Sequence, residues 1–203
     1  MIISLCAQKG GVGKTTLSIN MADCLSRKGA RVLLIDADKQ ASASAWAAVR
    51  TTQNFSVIGI ARDTVHKEIK AFSADYDHII VDGPPHAESI SRSCIAAADY
   101  VLVPVEPSGL SVWAADLTIK QIDAAKDYFP ALRAGMVVSR KIRGTAIGRD
   151  IRASVSGIDL LSTEVQQRVV YAETASMGQT VFDAGLSSPA AREIEKLVSE
   201  IMS

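Results

Sequence analysis

Short, unbroken apolar runs alternate along this chain with longer stretches in which apolar positions recur every three or four residues. Runs such as Val32-Leu33-Leu34-Ile35 and Ile79-Ile80-Val81 contain no polar position. Both faces of such a strand must be covered, as in a parallel sheet flanked by helices. The pattern predicts strands over residues 2–7, 31–36, 55–58, 78–82, 100–105, 134–139 and 158–162, and helices over 14–28, 65–73, 88–97, 111–129, 145–156, 167–177 and 189–202. Gly29 stands where the first helix should stop, and Pro189 suits the opening turn of the last. Regular strand–helix alternation calls for right-handed crossovers. The expected fold class is α/β: a three-layer, doubly wound, mainly parallel sheet with helices on both faces. No repeat, low-complexity tract or linker breaks the 203 residues, so 1–203 reads as one domain.

Composition changes this picture little. Apolar residues make up 48% and charged residues 22%, an ordinary soluble globular mix. Lys+Arg and Asp+Glu are equal at 22 each, so net charge signals no polyanionic partner, although a local basic patch would act through its own field. Cys6, Cys24 and Cys94 are widely separated, without metal-ligand spacing, and read as small buried thiols of a reducing compartment. No apolar run reaches the roughly 18 residues of a membrane span. The chain enters a strand directly, without a basic region and cleavage site, so the expectation is a cytoplasmic protein with no signal peptide.

The chemistry begins at Gln8-Lys9-Gly10-Gly11-Val12-Gly13-Lys14-Thr15-Thr16, between the first predicted strand and helix. Open α/β sheets bind nucleotide phosphates at such turns. Gly10, Gly11 and Gly13 allow backbone angles closed to other residues, so several N–H groups can converge on one anion. The helix terminus adds positive potential, Lys14 can reach the β- and γ-phosphates, and the Thr15 hydroxyl can ligate Mg²⁺. Lys9 through Thr16 are therefore the candidate binding residues for ATP and Mg²⁺.

Two other predicted strands end in acids. Asp36 closes one and Asp38 follows two residues on; Asp82 closes another before Gly83-Pro84-Pro85. Singly, an acid after a strand is more often a turn former or helix cap. In the order glycine loop, D-x-D, strand-Asp, they fit a phosphoryl-transfer site, where carboxylates at the sheet's carboxyl edge meet Mg²⁺ directly or through water. Such catalysis is positioning and charge neutralisation, and His66, His78 and His86 form no triad pattern.

The glycine that the common phosphate-loop signature places five residues before Gly13 is here Gln8, and Lys9 follows it. This K-G-G-x-G-K-T form resembles the deviant Walker A loop of the ParA/MinD superfamily of P-loop ATPases. The likeness extends to Asp36-Ala37-Asp38-Lys39-Gln40, where the family usually reads D-x-D-P-Q, to the D-G-P-P strand end, and to Val103-Pro104-Val105-Glu106-Pro107-Ser108. It implies that Lys9 acts with Lys14 in catalysis by crossing a homodimer to the partner's phosphates. By the same match Asp38 orients or activates the attacking water, and Asp36 and Asp82 join Thr15 in the magnesium shell. Lys39 replaces the family's proline, adding a charge near the γ-phosphate and altering the stiffness of the turn.

Three branches of the superfamily differ in their marks. A relative of the nitrogenase iron protein would need paired cysteines at the dimer face, and Cys94 has no companion. A MinD-like membrane ATPase would carry a basic amphipathic tail helix. Residues 189–203 have the stripe Ile194, Leu197, Val198, Ile201 but an acid-leaning polar face, which suits packing on the protein body. The short ParA type, without an N-terminal DNA-binding extension, implies ATP-bound dimers on non-specific nucleoid DNA, released when a ParB-like or cargo-adaptor protein stimulates hydrolysis. Arg140, Lys141, Arg143, Arg149 and Arg152, with Arg168 as an extension, are the candidate DNA contacts; the plain alternative is a solvated helix surface. Walls for the base are expected near 137–141 and 166–171. The rival readings are a membrane-recruited positioning ATPase and a nucleotide-gated scaffold with negligible turnover.

Overall fold

The computed structural model describes residues 1–50, 53–86, 88–142 and 157–203. In chain order its elements are β1 (Ile2–Leu5), α1 (Lys14–Arg27), β2 (Val32–Asp36), α2 (Ser42–Val49), β3 (Ser56–Gly59), α3 (Val65–Glu68), β4 (His78–Asp82), α4 (Glu88–Ala97), β5 (Tyr100–Val105), α5 (Gly109–Lys126), β6 (Arg133–Lys141), β7 (Asp159–Gln166), α6 (Val169–Ser176) and α7 (Pro189–Met202). The strands form one sheet in the order β3-β2-β4-β1-β5-β6-β7. Every pairing is parallel. β1 lies between β4 and β5, and the registers Leu5↔Asp82 and Asp36↔Asp82 bring the carboxyl ends of β1, β4 and β2 side by side. The glycine loop and both strand-end acids thus share one edge of the sheet.

The unbroken apolar runs are explained by two cores, one on each face. Ile3, Leu34, Ile80 and Leu102 point to the face covered by α1, α6 and α7, whereas Leu33, Ile35, Val81 and Val103 point to the face covered by α3, α4 and α5. The three cysteines are free and buried, as expected. Burial pushes the Cys6 thiol up to about 12 and Cys24 to about 11, so neither is a ready thiolate.

Three elements differ from the expected pattern. α2 was not anticipated: Ser-Ala-Ser-Ala-Trp-Ala-Ala-Val buries only Ala43 and Trp46, too little contrast to mark a face. The predicted helix at 65–73 is one α-turn followed by a 3₁₀ turn at Ile69–Phe72. β7 runs on to Gln166, because β6 itself continues to Lys141 and pairs with it through Val138↔Glu164 and Lys141↔Gln166; α7 supplies acceptors for further β7 amides. Glu200 takes those of Ser162 and Thr163 at 2.6 and 2.9 Å, and Glu193 takes that of Gln166 at 3.2 Å. The predicted helix at 145–156 lies outside the described residues.

α7 buries the stripe Ile194, Leu197, Val198 and Ile201 on the sheet, as its acid-leaning outer face suggested. A buried ionic cluster ties α1 to α2 and to the loop after α6. The Asp23 carboxylate, fully buried, accepts from Arg50, Asn54 and Thr180 and pairs with Arg27. Burial works against its charge, but the hydrogen bonds from Thr180, Arg27 and Asn54 outweigh that and lower its pKa.

Candidate nucleotide site

The loop after β1 turns through left-handed Gly11 (φ 77°) and Gly13 (φ 94°). A Cβ on Gly13 would stand 2.9 Å from the Ser139 hydroxyl, so this position excludes a side chain on space as well as on angle. Gly13 begins α1 without a side-chain cap. Among the described residues, the amides of residues 13–16 donate to no protein acceptor. Four donors at a helix start with no partner form an anion cradle.

The two loop lysines are used differently. Lys14 is buried, and its ammonium donates to the carbonyls of Ala7 and Lys9 at 3.1 and 3.3 Å, across the cradle. Burial lowers its pKa, while Asp82, Cys6 and Asp38 pull it back. Lys9 turns the other way. It donates to Glu106 at 2.6 Å and to the Ser111 hydroxyl at 3.0 Å, at the start of α5. Glu106 and Ser111 were not singled out in the sequence, although the Val103–Ser108 stretch that holds Glu106 was. Their approach to Lys9 depends on β1 pairing with β5, which no local pattern reveals.

The acids also separate by role. Asp82 is fully buried, accepts from Ser18 at 3.2 Å, has the Thr15 hydroxyl near enough to lower its pKa, and its Oδ2 has no partner among the described residues. Burial first, then Asp36, raises its pKa to about 7, against the pull of Thr15, Lys14 and Ser18. An orphan carboxylate oxygen beside a threonine hydroxyl suits a hard divalent cation that keeps its remaining positions for phosphate and water. Thr15 and Asp82 therefore fit Mg²⁺.

Asp36 is engaged more fully than expected of a metal ligand. Its Oδ1 accepts from the Asp38 amide at 3.2 Å, and its Oδ2 from the Ser44 amide and hydroxyl at 2.8 and 2.9 Å. It locks the D-x-D turn to α2, so any part it plays at the metal leaves those bonds in place or acts through water. Asp38 is half-buried, accepts from the Gln40 amide at 3.0 Å, and lies close enough to raise the Lys14 pKa. Lys39 and Gln40 are exposed.

A cavity of about 690 Å³ opens from Gly11, Gly13 and Thr16 toward Ser139, Gln166 and Tyr171. It is bounded by both segments expected to wall a base. Leu17 and Val169 give it apolar sides. Of the basic residues proposed for DNA, Arg143, Arg149 and Arg152 lie outside the described residues. Lys141 pairs with Glu164 and Arg168 with Glu193, while Arg140 reaches back over the phosphate loop. These three do not form one continuous unpaired cationic face.

A glycine turn between strand and helix, a lysine across an amide cradle and a threonine beside a strand-end aspartate define a nucleotide-phosphate-binding domain of the P-loop kind. The family model described as "CobQ/CobB/MinD/ParA nucleotide binding domain" matches residues 3–181, and the chain belongs to that family. It is 31% identical over 202 residues to "Maintenance of carboxysome distribution protein A" of Halothiobacillus neapolitanus, covering 96% of this chain and 93% of that one. It is 29% identical over 237 residues to "Chromosome-partitioning ATPase Soj" of Thermus thermophilus, covering 98% and 94%. Among solved structures, the fold matches a Cyanothece McdA–ATP complex with TM-score 0.82 at 18% identity, covering 99% and 95%. It also matches the septum site-determining protein MinD with Mg-ADP from Pyrococcus horikoshii OT3, with TM-score 0.82 at 20% identity, covering 98% and 95%.

Proposed function

We propose that this chain is a Mg²⁺-dependent ATPase whose ATP-bound form is a homodimer that binds DNA without sequence preference and positions or partitions a cargo. A ParB-like or cargo-adaptor protein then stimulates hydrolysis, parts the dimer and releases it from the nucleoid. The observation that carries this reading is the division between the lysines. Lys14 spans its own cradle, whereas Lys9 is held outward on Glu106 and Ser111. A second cation turned away from its own loop suits phosphates presented by another copy.

The names of the relatives, one concerned with carboxysome distribution and one with chromosome partitioning, support a positioning task and leave the cargo as either a protein assembly or a DNA region. Burial of the α7 stripe argues against that helix as a membrane anchor. In this scheme the nucleotide-bound magnesium neutralises charge developing on the transferred phosphoryl group. Thr15 and Asp82 hold it, Lys14 and Lys9 bind phosphate oxygens, and Asp38 orients the water.

The test is light scattering with ATP and Mg²⁺, joined to phosphate release and to binding of random-sequence DNA across a salt series. The expected result is an ATP-dependent doubling of mass, with DNA affinity that appears with ATP and falls with salt. A monomer at saturating ATP that hydrolyses without DNA binding would refute the reading. Lipid-vesicle binding in place of DNA binding would transfer the protein to the membrane-recruited class.

A further inference from the structure

We propose that Arg140 is a positioning residue of the nucleotide site, fixing the Gly11 carbonyl of the phosphate loop and sharing the Glu106 carboxylate with Lys9. The inference rests on the ATP-binding reading above and names a residue that sets the shape of that site.

Arg140 sits near the end of β6 with a left-handed backbone (φ 56°), a conformation uncommon for a side chain of this kind. Its side chain lines the nucleotide cavity and extends over the loop. Nη1 donates to the Gly11 carbonyl at 2.6 Å and lies 3.3 Å from Glu106 Oε1. The other carboxylate oxygen of Glu106 holds Lys9. Two cations from distant parts of the chain, one of them from the loop itself, therefore meet on one acid.

The bond to Gly11 has a specific consequence. The peptide that bears this carbonyl joins Gly11 to Val12, and glycine on its amino side lowers the steric cost of turning it over. A Gly11 carbonyl rotated into the cradle would present an oxygen to phosphate oxygens. A charge-assisted bond anchors that oxygen outside, and the planar trans peptide then also fixes the direction of the Val12 N–H. Gly11 has room for this approach, since even a Cβ there would stand 3.8 Å from Nη1. Without Arg140, Glu106 would be left to Lys9 alone and would hold it more tightly.

The experiment measures the affinity of a fluorescent ATP analogue with Mg²⁺ for the full chain, Arg140→Ala and Arg140→Lys, with melting curves to confirm folding. Arg140→Ala should bind about tenfold more weakly, the factor set by losing one charge-assisted hydrogen bond. Free guanidinium on the order of tens of millimolar should recover part of the loss, and Arg140→Lys should lie between. A merely structural arginine would not be rescued by free guanidinium. If Arg140→Ala does not fold, the comparison rests on Arg140→Lys, where unchanged affinity overturns the proposal. Unchanged nucleotide affinity with a lower salt slope for DNA would overturn it in favour of a polyanion contact. Failure of the unmodified chain to bind the analogue would instead remove the ATP reading itself.

Discussion

Asp82 should make this protein lose stability as pH rises toward neutrality, and Asp82→Asn should remove that loss. The carboxyl has an ordinary value of 3.8 and is raised to about 7 by burial and by Asp36. A folded pKa above the unfolded one means the contribution is fully present below about pH 4, in acid, and is lost as pH climbs through about 7. Between those limits the folded protein keeps the proton and the unfolded chain does not, so stability falls by about 1.4 kcal/mol per pH unit. From about pH 5 to pH 7 the loss is on the order of 2–3 kcal/mol, which for a domain of this size is roughly 5–10 °C in Tm.

The assay is denaturant unfolding in chelator for both proteins across that range. Groups remote from Asp82 cancel in the difference curve, and its neighbours Lys14 and Cys6 feel the loss of its charge. The Ser18 bond sets its offset but not its slope. Parallel curves would refute the buried, metal-competent carboxylate. Mg²⁺ with a non-hydrolysable ATP analogue should flatten the wild-type curve between about pH 5 and pH 7, since a cation at the orphan Oδ2 favours the ionised form and draws the folded pKa back toward its ordinary value.

Other outcomes follow from the same geometry. Lys9→Ala should retain ATP binding, because Lys14 serves the cradle, yet remain monomeric by light scattering; an intact ATP-dependent dimer would remove Lys9 from the trans role. Asp38→Ala should form ATP-dependent dimers but release phosphate at least about a hundredfold more slowly, consistent with loss of a water-orienting group; unchanged turnover would discard that assignment. Gly178→Ala would place a Cβ 2.8 Å from Arg50 N and Val49 C at φ 64°. It should cost about 2–3 kcal/mol in denaturant unfolding, by strain against backbone that cannot move aside. A loss under about 0.5 kcal/mol would show that this loop yields.

How much could be read from the chain depended on how local the cause was. The parallel sheet was legible because buried runs such as 32–35 and 79–81 leave no polar position to place. The phosphate loop was legible because three glycines, a lysine and a threonine in that spacing have few other uses. α2 was not, since an alanine-rich helix with two buried residues shows no stripe. It is set instead by Asp36 reaching Ser44 across eight residues. The partners of Lys9 were invisible for a stronger reason: Glu106 is 97 residues away and arrives only through strand order. Arg140 stood in a basic run that suggested an outer face, whereas its left-handed backbone carries the side chain over the loop.

The carboxylates of α7 have a practical consequence for anyone attaching something to this protein. β7 ends the sheet, and a terminal strand with free amides is a template on which another molecule's strand can add. Glu200 and Glu193 occupy amides on β7, and they sit on the final helix, Glu200 only three residues from Ser203. A fluorescent tag appended beyond Ser203 leaves that seal intact. Trimming the last turn to shorten a linker would unmask the amides of Ser162 and Thr163 together with the apolar stripe beneath the helix, and filaments or precipitate formed by such a shortened fusion would come from the exposed sheet edge, not from the nucleotide site.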